Sequence, residues 1–227
     1  MTKVLVLLFI ASVIALASCR NSQPCLTSVM DEGMNDNDRL RILELHNNLR
    51  KRIREGREVK HPIPAPGELL DLEYDMNLER IARESIKLVT CDEGYILEDA
   101  NFGDIGMNRY THQTSSLDMA LEKFPTKNTN GKWSNAFRHF TREKHDFEYK
   151  KINQPLPYTQ VIWGKTRRIG CAYIFGTKDD PETPYSKYYL CHYYPGGNVF
   201  NKFPYEIAST KDSISKPDYE DFFIFTT

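Results

Sequence analysis

Cysteine and histidine are the side chains of this chain with chemistry to offer, and their spacing says which chemistry. The five cysteines are Cys19, Cys25, Cys91, Cys171 and Cys191. Cys171 sits in an apolar run, Ile169 to Phe175, of strand length and composition. Cys191 sits in an aromatic-rich run, Tyr188 to Tyr194, that ends at Pro195-Gly196-Gly197. The segment between them, Gly176 to Ser186, has the Gly, Asp and Pro content of a hairpin loop. One cysteine on each strand predicts an antiparallel pair tied by a Cys171–Cys191 disulfide. The histidines point to no metal: His139 and His145 are six apart, so a helix would turn them to different faces. No Gly-x-Ser-x-Gly elbow, His-Glu-x-x-His helix or phosphate-cradling glycine loop occurs. The chain therefore reads as a non-enzyme, with no catalytic residue, no metal and no cofactor.

The compartment follows from the first residues. Lys3 precedes an apolar stretch, Val4 to Leu16, too short to span a bilayer, and Ala15, Ala17 and Ser18 follow as small residues. This is the layout of a secretory signal peptide over residues 1–19, so the protein is expected to be secreted and extracellular, with no transmembrane segment. Cleavage after Cys19 leaves an even number of cysteines for an oxidising compartment; cleavage after Ala17 fits as well by side-chain size and leaves Cys19 a free thiol or an intermolecular partner. Of 30 basic and 31 acidic residues only Lys3 would be lost, for a net charge of −2, which is no nucleic-acid signature. The cluster Arg50-Lys51-Arg52 with Arg54 and Arg57 reads as the basic end of a helix. No tandem repeat and no Asn-x-Ser/Thr sequon is present.

Three helices are legible. The first is expected from Asp38, as N-cap, to Gly56, as C-cap, with Ile42, Leu45, Leu49 and Ile53 forming one apolar stripe. Asn47 and Arg50 lie near its buried edge, positioned to satisfy groups of neighbouring loops, and His46 reads as structural. An extended proline-rich connection, His61 to Gly67, follows. Asp75 then caps a second helix with Leu78, Ile81, Ala82, Ile86 and Val89 on its buried face and Cys91 at its end. Residues 92–131 carry little pattern beyond a short amphipathic run, Leu117 to Phe124. A third helix restarts at Trp133, with Phe137 and Phe140 on one face.

The segments Tyr158 to Cys171 (YTQVIWGKTRRIGC) and Tyr188 to Asn198 (YYLCHYYPGGN) resemble the paired signatures of the CAP superfamily of cysteine-rich secretory proteins, venom allergens and pathogenesis-related proteins. His46-Asn47 followed by Arg50 is similar to the first-helix pattern of that family, and helminth venom allergen-like proteins are among the members it resembles. The resemblance implies an α+β fold: a three-layer α-β-α sandwich around a mainly antiparallel sheet, spanning residues 38–208. Residues 20–37 become an N-terminal extension and 209–227 a C-terminal tail. The resemblance also implies a Cys25–Cys91 bridge, although four cysteines alone permit three pairings.

A cavity with two histidines and two carboxylates holds a divalent metal in that family. Carried over one at a time, its ligand positions fall on Tyr95, Asp104, Ala136 and Pro157 here. Only the Asp104 carboxylate survives, and one carboxylate cannot complete a four-coordinate zinc site. What the resemblance then implies is a secreted, non-enzymatic protein that binds fatty acid or sterol in an apolar groove. The groove would be lined by Ile42, Leu45, Leu49, Ile53, Trp133, Phe137 and Phe140, and a sterol loop by Phe102, Met107 and Tyr110; the competing reading is that the two helical stripes simply bury each other or the sheet. The alternative is a secreted effector acting on an extracellular protein receptor of a host or prey. The tail ends in Pro217-Asp218-Tyr219-Glu220-Asp221-Phe222-Phe223-Ile224-Phe225 and is expected to pack back on the sandwich.

Overall fold

A computed structural model describes residues 26–89, 104–120 and 131–209. Residues 1–25, with the segment expected to be a signal peptide and Cys25, lie outside that description, as do Cys91, Tyr95, Phe102 and most of residues 209–227. In chain order the elements are β1 (Ser28–Glu32), α1 (Asp36–Arg54), β2 (Glu73–Tyr74), α2 (Met76–Val89), β3 (Gly106–Thr114), α3 (Leu117–Ala120), α4 (Gly131–Phe140), α5 (Pro157–Val161), β4 (Arg168–Thr177) and β5 (Tyr185–Tyr194). A 3₁₀ turn, Arg142–Asp146, links α4 to the segment before α5.

The sheet runs in the order β1-β4-β5-β3, antiparallel throughout, with the two residues of β2 added in parallel to β4. Cys171 and Cys191 stand directly opposite each other on β4 and β5 and are bonded, with Cα atoms 4.1 Å apart. Strand alternation sorts the core into two halves. Ile169, Tyr173, Phe175, Tyr189 and Tyr193 face α1, α4 and α5, whereas Ala172, Ile174, Tyr188 and Leu190 face α2. Helices thus cover both faces of one antiparallel sheet, the three-layer α+β sandwich.

Residues 28–32 read from the sequence as part of an extension, yet they pair with β4 as an edge strand. Helix α1 begins earlier than Asp38 implies. Asn35 is its N-cap, accepting from Asp38 N at 2.9 Å, and Asp38 returns the bond by accepting from Asn35 N, which makes it the third residue of a capping box. At the other end Gly56 takes a φ of 65°, the left-handed residue that closes the helix. Asp75 caps α2 as expected, its Oδ1 accepting from Asn77 N and Leu78 N.

Two devices clamp α2 to the rest. The buried Glu79 carboxylate accepts from Arg39 on α1 at 2.7 and 2.8 Å, from the Tyr74 hydroxyl on β2 and from Arg83 on its own helix. Burial alone would push this carboxyl up; the Arg39 and Tyr74 hydrogen bonds outweigh it and hold it below its usual value. At Gly170 the α2 backbone comes so close that a Cβ would lie 2.5 Å from the Leu78 carbonyl carbon and 2.6 Å from the Asp75 oxygen. Because backbone cannot yield as a flexible side chain does, Gly170→Ala is expected to cost about 2 kcal/mol in urea unfolding. An unchanged midpoint would mean that α2 is free to back away from the sheet.

Candidate functional site

The seam between α1 and α4 is where the sequence places a groove, and the structure brings all seven proposed residues together there. Ile42, Leu49 and Ile53 of α1 and Trp133 and Phe140 of α4 are buried in one cluster, with Leu45 and Phe137 half-buried against it. The amphipathic period of each helix accounts for this: positions three and four apart fall on the face turned to the sheet. The two stripes pack against each other and the sheet, so the seam is closed. Neither of two cavities among the described residues is lined by any of the seven.

A polar thread runs beneath this apolar surface. His46 Nδ1 lies 2.8 Å from the Ile42 carbonyl, which can only accept, so Nδ1 carries the proton and Nε2 is left to accept from the Tyr193 hydroxyl at 2.9 Å. Asn108 Nδ2 donates to the same Tyr193 oxygen at 3.1 Å and to the Pro157 carbonyl at 2.9 Å. His46 is wholly buried with its ring edge against Phe137, and burial pushes its pKa down to about 3. A histidine so enclosed is a neutral structural link, unable to exchange protons with a solvent-borne substrate.

Three of the four ligand positions implied by the family resemblance, Asp104, Ala136 and Pro157, fall among the described residues. Ala136 is buried on α4 and Pro157 is the first residue of α5, so neither side chain offers a donor, while Asp104 is exposed and its backbone carbonyl accepts from Gly196 N. Among the described residues no group of three His, Cys, Asp or Glu side chains could hold a metal ion.

The sterol-loop reading needs correction. Met107 and Tyr110 belong to the regular strand β3, paired with His192 and Tyr189 of β5. Three positions apart on a strand they point to opposite faces: Met107 packs on the α2 side and Tyr110 on the α1–α4 side. They therefore cannot line one pocket.

Asn108 and Tyr193 escaped the sequence reading, because nothing local marks a single Asn in a polar strand as buried. Asn47 and Arg50 behave as expected towards neighbouring backbone. Asn47 exchanges two bonds with the Leu72 backbone, and Arg50, fully buried, donates to the carbonyls of Leu70, Val161, Trp163 and Thr166.

A model of the cysteine-rich secretory protein family matches residues 43–193. The chain is 29% identical over 181 residues to venom allergen 5 of the scorpion Tityus serrulatus, covering 77% of this chain and 41% of that protein. It is 26% identical to a CRISP/Allergen/PR-1 protein of Trittame loki, covering 78% and 43%. The chain thus spans less than half the length of these two relatives, but the match to venom allergen 5 of Vespula vidua, at 28% identity, covers 77% of the chain and 82% of the relative. Among solved structures, NaASP2 with Zn2+ superposes with a TM-score of 0.56 at 22% identity, over 80% of this chain and 92% of that one. BmVAL-1 superposes with a TM-score of 0.54 at 22% identity, over 78% and 85%. Fold, paired signatures and cross-strand disulfide converge on one assignment: the chain belongs to the cysteine-rich secretory protein (CAP) family.

Proposed function

We propose that this chain is a secreted, non-enzymatic CAP domain, freed of residues 1–19, that binds a fatty acid or sterol along the α1–α4 seam. The observation that carries the reading is the seam itself. Ile42, Leu49, Ile53, Trp133 and Phe140 make it apolar beyond the Arg41–Ser134 bonds, and Leu45 and Phe137, both half-buried against that cluster, are where an acyl chain would enter. The cavities elsewhere suit a lipid less well. One, of about 340 Å3, is lined by Asp31, Glu32 and Asp38, and the other, of about 200 Å3, is below the usual size of a ligand pocket. Each methylene buried is worth about 0.8 kcal/mol, so a long chain needs no charged anchor to repay parting the two helices.

The test is a titration of the delipidated protein with a fluorescent fatty acid and with a sterol. Leu45→Glu and Phe137→Glu, both at half-buried positions, are expected to abolish saturable binding while the melting temperature moves by only a few degrees. Binding that survives both substitutions would place the ligand elsewhere. Failure of the unsubstituted protein to bind either lipid would hand the role to a protein receptor.

A further inference from the structure

We propose that the loop 198–203, together with the neighbouring Lys150 and Lys151, is a docking surface for an anionic phospholipid bilayer. Within five residues Val199, Phe200 and Phe203 are 48%, 72% and 43% exposed, an apolar cluster of a kind that soluble surfaces seldom present without use. The exposure is not that of a slack loop. Asn198 and Asn201 hold left-handed φ values of 57° and 61°, and Asn198 Nδ2 donates to the Leu156 carbonyl. A short backbone ladder runs from Ile152 N to the Lys202 carbonyl and from Asn201 N back to the Ile152 carbonyl. The fold therefore sets Phe200 outward in advance, which lowers the backbone ordering cost of docking.

Charge completes the surface. Lys150, Lys151 and Lys202 lie on the two sides of that ladder, and the Lys151 ammonium stands 6.0 Å over the Phe203 ring, which is itself stacked on Tyr149. Glu148 pairs with Lys150 at 3.1 Å, and Glu143 and Asp146 line the cavity beside Lys150 and Lys151, so the positive charge offered beside the exposed rings is that of Lys151 and Lys202. Aromatic rings that enter the headgroup region, flanked by lysines that stay in water, are the chemistry of attachment to a negatively charged lipid surface. This docking is independent of a ligand in the α1–α4 seam, since a protein can rest on a bilayer and carry nothing.

Sedimentation with vesicles of phosphatidylcholine, with and without phosphatidylserine, tests it on the full secreted chain. The protein is expected to sediment with the phosphatidylserine vesicles and to be released by salt. Phe200→Ser should weaken binding about tenfold, and the pair Lys151→Glu, Lys202→Glu at least about thirtyfold, because each lysine near such a surface is worth about 1 kcal/mol. Leu40→Ser, at an exposed position of α1, should change nothing, and Leu45→Glu should leave sedimentation intact even where it abolishes fatty-acid binding. A protein that ignores phosphatidylserine vesicles, or a Phe200→Ser variant that binds them as tightly as the original, overturns the proposal.

Discussion

Arg50→Met should destabilise the protein by about 4 kcal/mol, a large share of the 5–15 kcal/mol that such domains possess. The guanidinium lies entirely inside the molecule, and its four bonds end on carbonyls at 2.7 to 3.1 Å. Those carbonyls belong to Leu70, before β2, and to Val161, Trp163 and Thr166, where the chain turns from α5 into β4. Methionine fills much of the volume but leaves the Leu70 and Val161 carbonyls without the donor that Arg50 supplies, at about 1–3 kcal/mol each before relaxation, while the Trp163 carbonyl keeps Thr166 N and the Thr166 carbonyl keeps Arg167 Nη1. Arg50→Lys should recover only part of the loss, since one ammonium cannot reproduce a planar fork reaching four points. Urea unfolding measures both. A loss under about 1 kcal/mol for Arg50→Met would show that water enters and takes the place of the fork.

Acid should unfold the protein through its buried histidines before its carboxylates matter. Burial lowers the pKa of His46 to about 3 and that of His192 to about 4, and among the described residues neither ring nitrogen of His192 has a partner. The unfolded chain binds these protons near pH 6.5, so below that value it holds more protons than the folded chain, and stability falls as the pH drops. The loss begins near pH 6.5 and continues to about pH 4 for His192 and about pH 3 for His46. At one pKa unit per 1.36 kcal/mol, each should have taken away about 3 kcal/mol by pH 4. Glu79 shifts in the same direction, its folded pKa being lowered, but its contribution begins to be lost only as the pH falls through the carboxylate value of 4.5. Melting temperature against pH separates the two windows. His192→Leu should remove part of the fall between pH 6.5 and 4 and, by eliminating two unpaired buried nitrogens, raise stability at neutral pH by about 1 kcal/mol. A variant whose acid profile coincides with that of the original would mean that His192 is hydrated after all.

The parts of the fold that were legible in the sequence are those whose residues are buried on a regular period. The β4–β5 hairpin has nearly every residue inside, so its runs of Ile, Tyr and Phe declare it, and the α1 stripe is legible for the same reason. Strand β3 was not legible. Gly106–Thr114 is an edge strand with only Asn108 and Thr114 fully buried, so no apolar alternation survives to announce it. The same holds for β1, whose five residues are all exposed and which owes its shape to pairing with β4. Helix α1 was placed three residues late because Asp38, by its type, passes for a cap, whereas the residue that holds the non-helical cap geometry is Asn35.

Of the candidate site, the residue list was legible and the state of the seam was not. Ile42, Leu49 and Trp133 show their helical faces in sequence, but whether two apolar faces meet or part depends on how far apart the sheet holds the helices. Arg50 could be assigned to backbone groups, yet its acceptors run from residue 70 to residue 166, a separation that no local pattern encodes. The exposed triplet Val199, Phe200 and Phe203 is equally silent in sequence, where it lies beyond the Pro195-Gly196-Gly197 turn with no period to mark it.

Mass spectrometry of the organic extract of protein secreted by eukaryotic cells tests the lipid-carrier reading most directly. The account predicts a fatty acid or sterol in near-stoichiometric amount, lost from the Leu45→Glu variant and restored to the stripped protein on incubation with lipid. An extract without lipid, from a protein that also fails to take up fatty acid or sterol after stripping, would contradict it.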